Sequence, residues 1–325
     1  MSNFTSHLKT LLPDTRLSLT QEVLPILVSC LVEVAQALRS AGKVSQVGST
    51  NAHGDEQLNV DLIAEKVIRS AVAKCPAIAS ASSEEDPVER RNEAPASTAS
   101  ESAEKYCIAF DPLDGSSIIA PNWTVGTIIG IWDGETALRQ NPKEKQIAAI
   151  LGVFGPRTTA TIALRVPGSP SACFDVALGD NGSVEIIRPT VQLKNAADVT
   201  TRYFAPANLR AAAEDEKYMN LISHFITHKY TLRYSGGLVP DVIHALVKGH
   251  GVYMSPVTGV SKAKLRRLYE LAPVALIVEC AGGMAVDEQG RGVLEREIAH
   301  TEEKAGLICG SREEVEFVRR QLGLE

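Results

Sequence analysis

The sequence predicts an α+β protein, with N-terminal helices packed on a mostly antiparallel sheet and a smaller α/β domain after it. Two observations carry this. Between residues 106 and 187 the chain is a series of short β-branched or apolar runs separated by Gly, Pro and Asn, which reads as consecutive strands. From about residue 198 helical and extended segments alternate instead, the pattern of an α/β layer system. Two domains are therefore expected, 1–197 and 198–325.

Residues 19–41 carry an amphipathic helical pattern ending at Gly42, and 57–75 a second one stopped by Pro76. Residues 77–81 form a short apolar strand. The stretch 86–104 is rich in Glu, Ala, Ser and Pro and has no apolar period, so it is expected to be a mobile surface loop. Strands follow at 106–110, 125–132, 147–154, 159–165, 173–178 and 184–187. In the second part 209–227, 239–247, 262–281 and 312–322 read as helices, with extended segments at 230–233, 251–254, 284–286 and 306–309.

At 325 residues, with 44% apolar and 22% charged side chains, the chain can bury a substantial core. Its net charge is −6 and it has no basic block, which argues against nucleic acid or an anionic membrane as partner. The six cysteines lie far apart with no C-x-x-C, as suits isolated thiols in a reducing compartment. The first twenty residues show no secretory apolar region, and 23–38 is interrupted by Pro25 and Glu33 and short for a bilayer. The expected location is the cytoplasm.

The chemistry is concentrated in Asp111-Pro112-Leu113-Asp114-Gly115-Ser116-Ser117, after the apolar run 106–110. Two carboxylates at a strand end can converge on hard divalent cations, and the amides of a Gly-Ser-Ser turn can hold phosphate oxygens. The plain alternative is a polar turn, since Asp and Gly are ordinary turn residues. A second pair of acids, Glu84 and Glu85, also comes straight after an apolar strand. If the two strands are neighbours, four carboxylates meet at their ends, which requires cations. Asp55, Asp61 and Glu270 are further candidates, each of which also reads as an ordinary helix acid. A carboxylate such as Asp61 or Glu85 could then orient or deprotonate a water for in-line attack on phosphorus. Arg233-Tyr234 follows an extended segment and Lys264 and Arg266 open a helix; the cations read alone as a solvated face, but opposite a metal cluster they suit a second phosphate and the sugar between.

These motifs resemble the fructose-1,6-/sedoheptulose-1,7-bisphosphatase family, within the Mg²⁺-dependent, lithium-sensitive phosphatases related to inositol monophosphatase. The resemblance runs from about Gly54 to Ser311 through Gly-Asp-Glu-Gln (54–57), Ser-Glu-Glu-Asp (83–86), Phe-Asp-Pro-Leu-Asp-Gly-Ser-Ser (110–117), Arg-Tyr-Ser-Gly-Gly (233–237), Ala-Lys-Leu-Arg (263–266) and Glu-Cys-Ala-Gly-Gly (279–283). It implies a layered αβαβα sugar-phosphatase fold and a homodimer or homotetramer. It implies that Glu84, Asp111, Asp114, Glu270 and the Leu113 carbonyl bind Mg²⁺, with Asp55 at a third ion and Mn²⁺ as a substitute. Asp61 and Glu85 would activate water. The Gly115 and Ser116 amides and Arg266 would hold the phosphate being cleaved, and Lys264 the sugar. Asn208 and Tyr234 would hold the retained phosphate, with Arg233 reaching across a dimer interface.

Within the family the sequence resembles the sedoheptulose type. Ile118 follows Gly-Ser-Ser where the fructose type has Asn, and Asn208-Leu209-Arg210-Ala211 replaces Asn-Glu-Gly-Tyr, so that Arg210 becomes a candidate anion ligand. Met254 stands where the fructose type has a phosphate-binding Tyr. The stretch 42–50 lacks the redox cysteines of the plastid enzymes, and 16–20 lacks the loop that holds the AMP phosphate. Thiol switching and strong AMP inhibition are not expected. Two alternatives stay open: another phosphatase substrate, such as an inositol or nucleotide phosphate, and an inactive sugar-phosphate sensor.

Overall fold

The computed structural model describes residues 2–50, 56–92 and 104–324. Its centre is an eight-stranded sheet in the order Val184–Arg188, Ala172–Leu178, Thr158–Leu164, Gln146–Phe154, Val125–Asp133, Tyr106–Asp114, Ile78–Ser83, Arg90–Arg91. All of its pairings are antiparallel except Ile78–Ser83 with Tyr106–Asp114. Alternate residues of a strand face opposite sides, and the sheet uses both. Ile108, Phe110 and Ile129 pack with the N-terminal helices, while Cys107, Ala109 and Ile128 pack with the helices Leu238–Lys248 and Ala272–Cys280.

A second, five-stranded sheet has the order Thr231–Leu232, Tyr203–Pro206, Val252–Ser255, Leu307–Gly310, Met284–Val286, with the first two pairings parallel and the last two antiparallel. One of its faces, with Ala205, Tyr253 and Cys309, closes the core that the first sheet began. Phe204, Val252 and Met254 face a third core under the helices Glu216–Thr227 and Arg312–Leu322. Three cores thus separate five layers, helix, sheet, helix, sheet, helix. Tyr253 and Met254 face opposite layers, as neighbours on a strand must.

Several elements differ from the sequence reading. A helix Ser2–Leu11, with Phe4 and Leu8 fully buried one turn apart, was not anticipated. The 19–41 helix is a π-helical turn, Leu19–Val23, running into Leu24–Ser40; Pro25 lies in the first turn, where a missing N–H costs little. The whole run Leu19–Ser40, 22 residues with mean hydropathy 1.5, is long and apolar enough to cross a membrane by length and composition. Leu24, Leu27, Leu31 and Val34 of this run are fully buried in the first core. The 57–75 helix is shorter, Asn59–Val72. The 209–227 segment is broken: a short 3₁₀ turn, Leu209–Ala213, precedes Glu216–Thr227, which Asp215 caps by accepting from the amides of Lys217 and Tyr218.

The 262–281 segment is a helix only in part. Leu265–Arg266 is a two-residue strand against Lys304–Ala305, and a π-helical turn, Arg267–Leu271, leads into Ala272–Cys280. Lys264 and Arg266 therefore precede the helix. The expected mobile loop is anchored over its described part. The Asn92 side chain donates to the carbonyls of Val72, Cys75 and Ile78 at 2.9–3.0 Å, and Glu89 accepts from the Ala137 amide at 2.8 Å. Residues 93–103 lie outside the described residues. None of the six cysteines forms a disulfide.

Candidate active site

Among the described residues, the one parallel pairing of the large sheet builds the site. Parallel neighbours end at the same edge, so Ser83 lies beside Phe110, and the Glu84 amide donates to the Phe110 carbonyl at 3.1 Å. Both acidic segments emerge there together. The second strand does not stop at Phe110 but runs on to Asp114, with a register shift against Ile128–Gly126 that accommodates Pro112, which has no N–H for the ladder. Thr127 donates its hydroxyl to the Pro112 carbonyl at 2.8 Å, and Asp111 accepts from the Leu113 amide at 3.0 Å.

Carboxylate oxygens of Asp111, Asp114 and Glu270 all lie within 4.8 Å of one another, and all three residues are buried. Burial is the largest cause pushing each upward. Asp111 and Glu270 stand well above the usual carboxylate range, with Glu84 the next contributor in both; Asp114 is pushed up to about 6, against the pull of two backbone N–H groups. Buried acids crowded like this either keep protons or hold cations. The donors are all oxygen, the set that suits Mg²⁺ or Ca²⁺ rather than zinc or copper. The chemistry of the donor set therefore fits a hard divalent ion.

Glu84 stands at the rim of this trio, in an ion pair with the buried Arg266 guanidinium. The Arg266 amide donates to Glu270, so this one residue touches both acids. Asp61, buried at the start of the Asn59–Val72 helix, accepts from the Leu58 amide and the Ser116 hydroxyl, both at 2.9 Å. Burial raises its pKa, and those two hydrogen bonds oppose the shift. Ser116 also donates to the Leu113 carbonyl at 3.1 Å, tying the turn to the acidic strand. Gly115 has φ of 98°, and a Cβ there would meet Val125 and Ile118 at 3.2–3.3 Å, so the tight turn requires glycine. Glu85 is half-buried; burial raises the Glu65 pKa, and the Glu85 charge adds a smaller push in the same direction. Asp55 lies outside the described residues.

The other candidate ligands lie on the second sheet's side. Asn208 takes the left-handed conformation, with φ of 53°, and donates to the Pro256 carbonyl at 3.1 Å. Arg210 and Lys264 are exposed, and the Arg210 charge acts on the half-exposed Tyr234 hydroxyl. Arg233 lies over the Tyr203 ring and, together with Tyr234, lines a groove of about 970 Å³ shared with Trp123, His244 and Val247. Tyr253 and Met254 are both buried.

Sequence reasoning missed two supports. Buried Asp241 accepts from the amides of Ser235 and Gly236 at 2.7 and 3.3 Å, fixing the loop that carries Arg233 and Tyr234. Glu65 accepts from Arg69 at 2.7 Å and from the Ser83 hydroxyl at 2.9 Å, while Arg69 donates to the Ala81 carbonyl at 3.0 Å; together they hold the strand end that presents Glu84. The i,i+4 spacing of Glu65 and Arg69 was a readable signal of a pair, though not of its position.

The family models described as the N-terminal and the C-terminal domain of fructose-1-6-bisphosphatase match residues 8–184 and 198–322. The chain belongs to the fructose-1,6-bisphosphatase family. The chloroplastic sedoheptulose-1,7-bisphosphatase of Spinacia oleracea is 35% identical, over 89% of this bisphosphatase and 72% of the relative. The class 1 fructose-1,6-bisphosphatase of Syntrophotalea carbinolica is 31% identical, over 90% and 87% respectively. A Toxoplasma gondii crystal structure, provisionally named a sedoheptulose-1,7 bisphosphatase, superposes with a TM-score of 0.85 at 33% identity, covering 98% of both chains. The family's enzymes are phosphoric monoester hydrolases and generally metal-dependent, and this bisphosphatase is such a hydrolase.

Proposed function

We propose that this bisphosphatase hydrolyses the 1-phosphate of sedoheptulose 1,7-bisphosphate, giving sedoheptulose 7-phosphate and inorganic phosphate. The reading rests on the exposed Arg210, whose charge opposes the rise that burial and Asp241 give the Tyr234 hydroxyl, with Asn208 at the start of the same 3₁₀ turn. Arg210 supplies a cationic seat for the retained phosphate, while the position of the fructose-type tyrosine is taken by the buried Met254.

Glu84, Asp111, Asp114, Glu270 and the Leu113 carbonyl would hold two Mg²⁺ ions, with Asp55 at a third; Mn²⁺ would substitute. When bound, the ions neutralise the acids and polarise the phosphate. Arg266 exchanges its bond to Glu84 for the phosphate being cleaved, which the Gly115 and Ser116 amides also hold. Asp61, with its pKa raised by burial, takes a proton from the attacking water, and Glu85 assists in orienting it. Lys264 binds the sugar. We read the chain as two domains, 1–197 bearing the acids and 198–325 bearing most of the substrate ligands. We place it with the lithium-sensitive phosphatases related to inositol monophosphatase, in the cytoplasm. The groove beside Arg233, with Trp123 and Val247 more than half exposed, supports a homodimer or a dimer of dimers.

The test is phosphate release from sedoheptulose 1,7-bisphosphate and fructose 1,6-bisphosphate side by side, with Mg²⁺ and with EDTA. Mg²⁺-dependent release favouring the seven-carbon sugar is expected. Equal or six-carbon preference transfers the enzyme to the fructose type, which the class 1 relatives also support. No release from either rejects both.

A further inference from the structure

A second polar cavity lies away from the acidic cluster. It is an open cleft of about 780 Å³ between the end of the Ala272–Cys280 helix, the edge strand Met284–Val286 and the Arg312–Leu322 helix. Its lining holds five cationic side chains, Lys143, Arg165, Arg291, Arg312 and Arg319, against two carboxylates, Glu279 and Glu295. That is a surplus of three positive charges in a chain whose net charge is −6.

The two acids do not quench it. Glu279 is committed to Arg165 at 2.7 Å. Glu295 faces Lys143 at 3.7 Å with both side chains about 60% exposed, a contact that solvent screens heavily. Arg291, Arg312 and Arg319 make up the remainder. Arg312 donates to the Gly283 carbonyl at 3.3 Å. The Arg319 Nε is enclosed by the protein with no acceptor among the described residues. A guanidinium N–H closed off from water without a partner is unfavourable, and an anion that accepts from it relieves the deficit.

We propose that this cleft is a binding site for a small polyanion of about three charges, bearing carboxylate or phosphate groups. Guanidinium forks match both kinds of group in the same planar geometry. The site is separate from the reaction centre. Glu270 lies at one end of the continuous stretch Arg267–Cys280 and Glu279 at the other, about 14 Å apart at ~1.5 Å per residue. The helix between is buried from Ala272 to Val278. An occupant here is therefore not a second substrate molecule in the active site.

Metal-free protein titrated calorimetrically with citrate and, separately, with pyrophosphate tests this without turnover, so its result is independent of the phosphatase reading. The expected result is one site per chain for at least one probe, weakening as salt rises. Affinity should fall at least tenfold in Arg312→Gln/Arg319→Gln and stay unchanged in Lys264→Ala. If citrate alone binds the ligand is of the carboxylate kind, and if pyrophosphate alone binds it is of the phosphate kind; either supports the site. Binding of neither probe overturns the proposal, as does binding that Lys264→Ala removes and the arginine pair does not. Wild-type melting and phosphate release by the double variant establish that it is folded. Should it not fold, Arg291→Gln, at an exposed position, carries the same comparison.

Discussion

Asp114 caps a helix from across the molecule. Its carboxylate accepts from the Val239 amide at 2.6 Å and from the Leu238 amide at 3.0 Å, the first two N–H groups of Leu238–Lys248. Pro240, next in line, has no N–H, and the Asp241 amide bonds the Gly237 carbonyl at 3.3 Å. The free amides of that helix start are thus answered by an acid that also belongs to the candidate metal cluster. This couples the two halves of the chain at one side chain.

Asp114→Asn should lower phosphate release by at least about 100-fold, since a ligand contributes no less than the groups that orient it. With Mg²⁺ present, where the carboxylate charge is offset, it should cost about 1 kcal/mol of stability, because an amide offers one accepting oxygen to two N–H groups. A variant with near-normal rate in a Mg²⁺ titration removes Asp114 from the metal set.

Gly126→Ala tests the same coupling by packing. Gly126 pairs with Asp114 across the sheet, and a Cβ there would stand 2.5 Å from Val239 and 2.8 Å from the Gly152 carbonyl. The helix start must move off Asp114. The expected cost is about 1–3 kcal/mol, read as a lower melting temperature together with reduced kcat. Unchanged kcat in a destabilised variant would separate the cap from catalysis.

The pH dependence of the metal-free protein follows from the raised carboxylates. For Asp111, Asp114 and Glu270 the folded state holds protons more tightly than the unfolded chain, whose carboxylates titrate near about 4. Stability is therefore lost as pH rises from there through the folded values, which for Asp114 lie at about 6. In EDTA the melting temperature should be higher at about pH 5 than at about pH 7.5. Mg²⁺ should raise it at the upper pH and do little at the lower, where protons compete. Equal Mg²⁺ stabilisation at both values contradicts this.

The pair Arg16–Asp133 behaves with the opposite sign. Arg16 makes two bonds to Asp133, at 2.8 and 2.7 Å, and holds that carboxylate below its usual range. Its contribution is present above the unfolded value and lost as pH falls through the folded one. Arg16→Ala should cost about 1–3 kcal/mol at neutral pH and progressively less in acid, as denaturant melts at several pH values would show.

Arg210→Ala should raise KM for the seven-carbon substrate about tenfold with little change in kcat, because it removes binding at the phosphate that does not react. Steady-state rates on both sugars check it; an unaltered KM rejects Arg210 as an anion ligand.

Much of this was legible in the sequence. The tandem acids after two apolar runs, at Glu84–Glu85 and Asp111–Asp114, marked both strands and their acidic ends, because apolar runs and carboxylates are local signals; that the two strands are neighbours was a condition the structure supplied. The change of pattern near residue 198 marked where the α/β part begins, while the five layers were an implication of the family resemblance. What could not be read was long-range. Nothing local says that Asp114 caps a helix 124 positions on, or that Glu84 meets Arg266. The break before Glu216 and the π-helical turn before Ala272 were hidden by continuous helical periodicity: the first is set by a local cap at Asp215, and the second follows the pairing of Leu265–Arg266 with the distant Lys304–Ala305.

The two acidic strands are held by their own register, and the crossover between them is pinned at both ends, by Asn92 on three carbonyls and by Glu104 on the Ser18 and Leu19 amides. Lengthening a connection between fixed ends adds only about 0.6 kcal/mol of closure entropy per doubling. An insertion between those two residues should therefore leave the acids where they are, because neither the strand register nor the two anchors depend on its length.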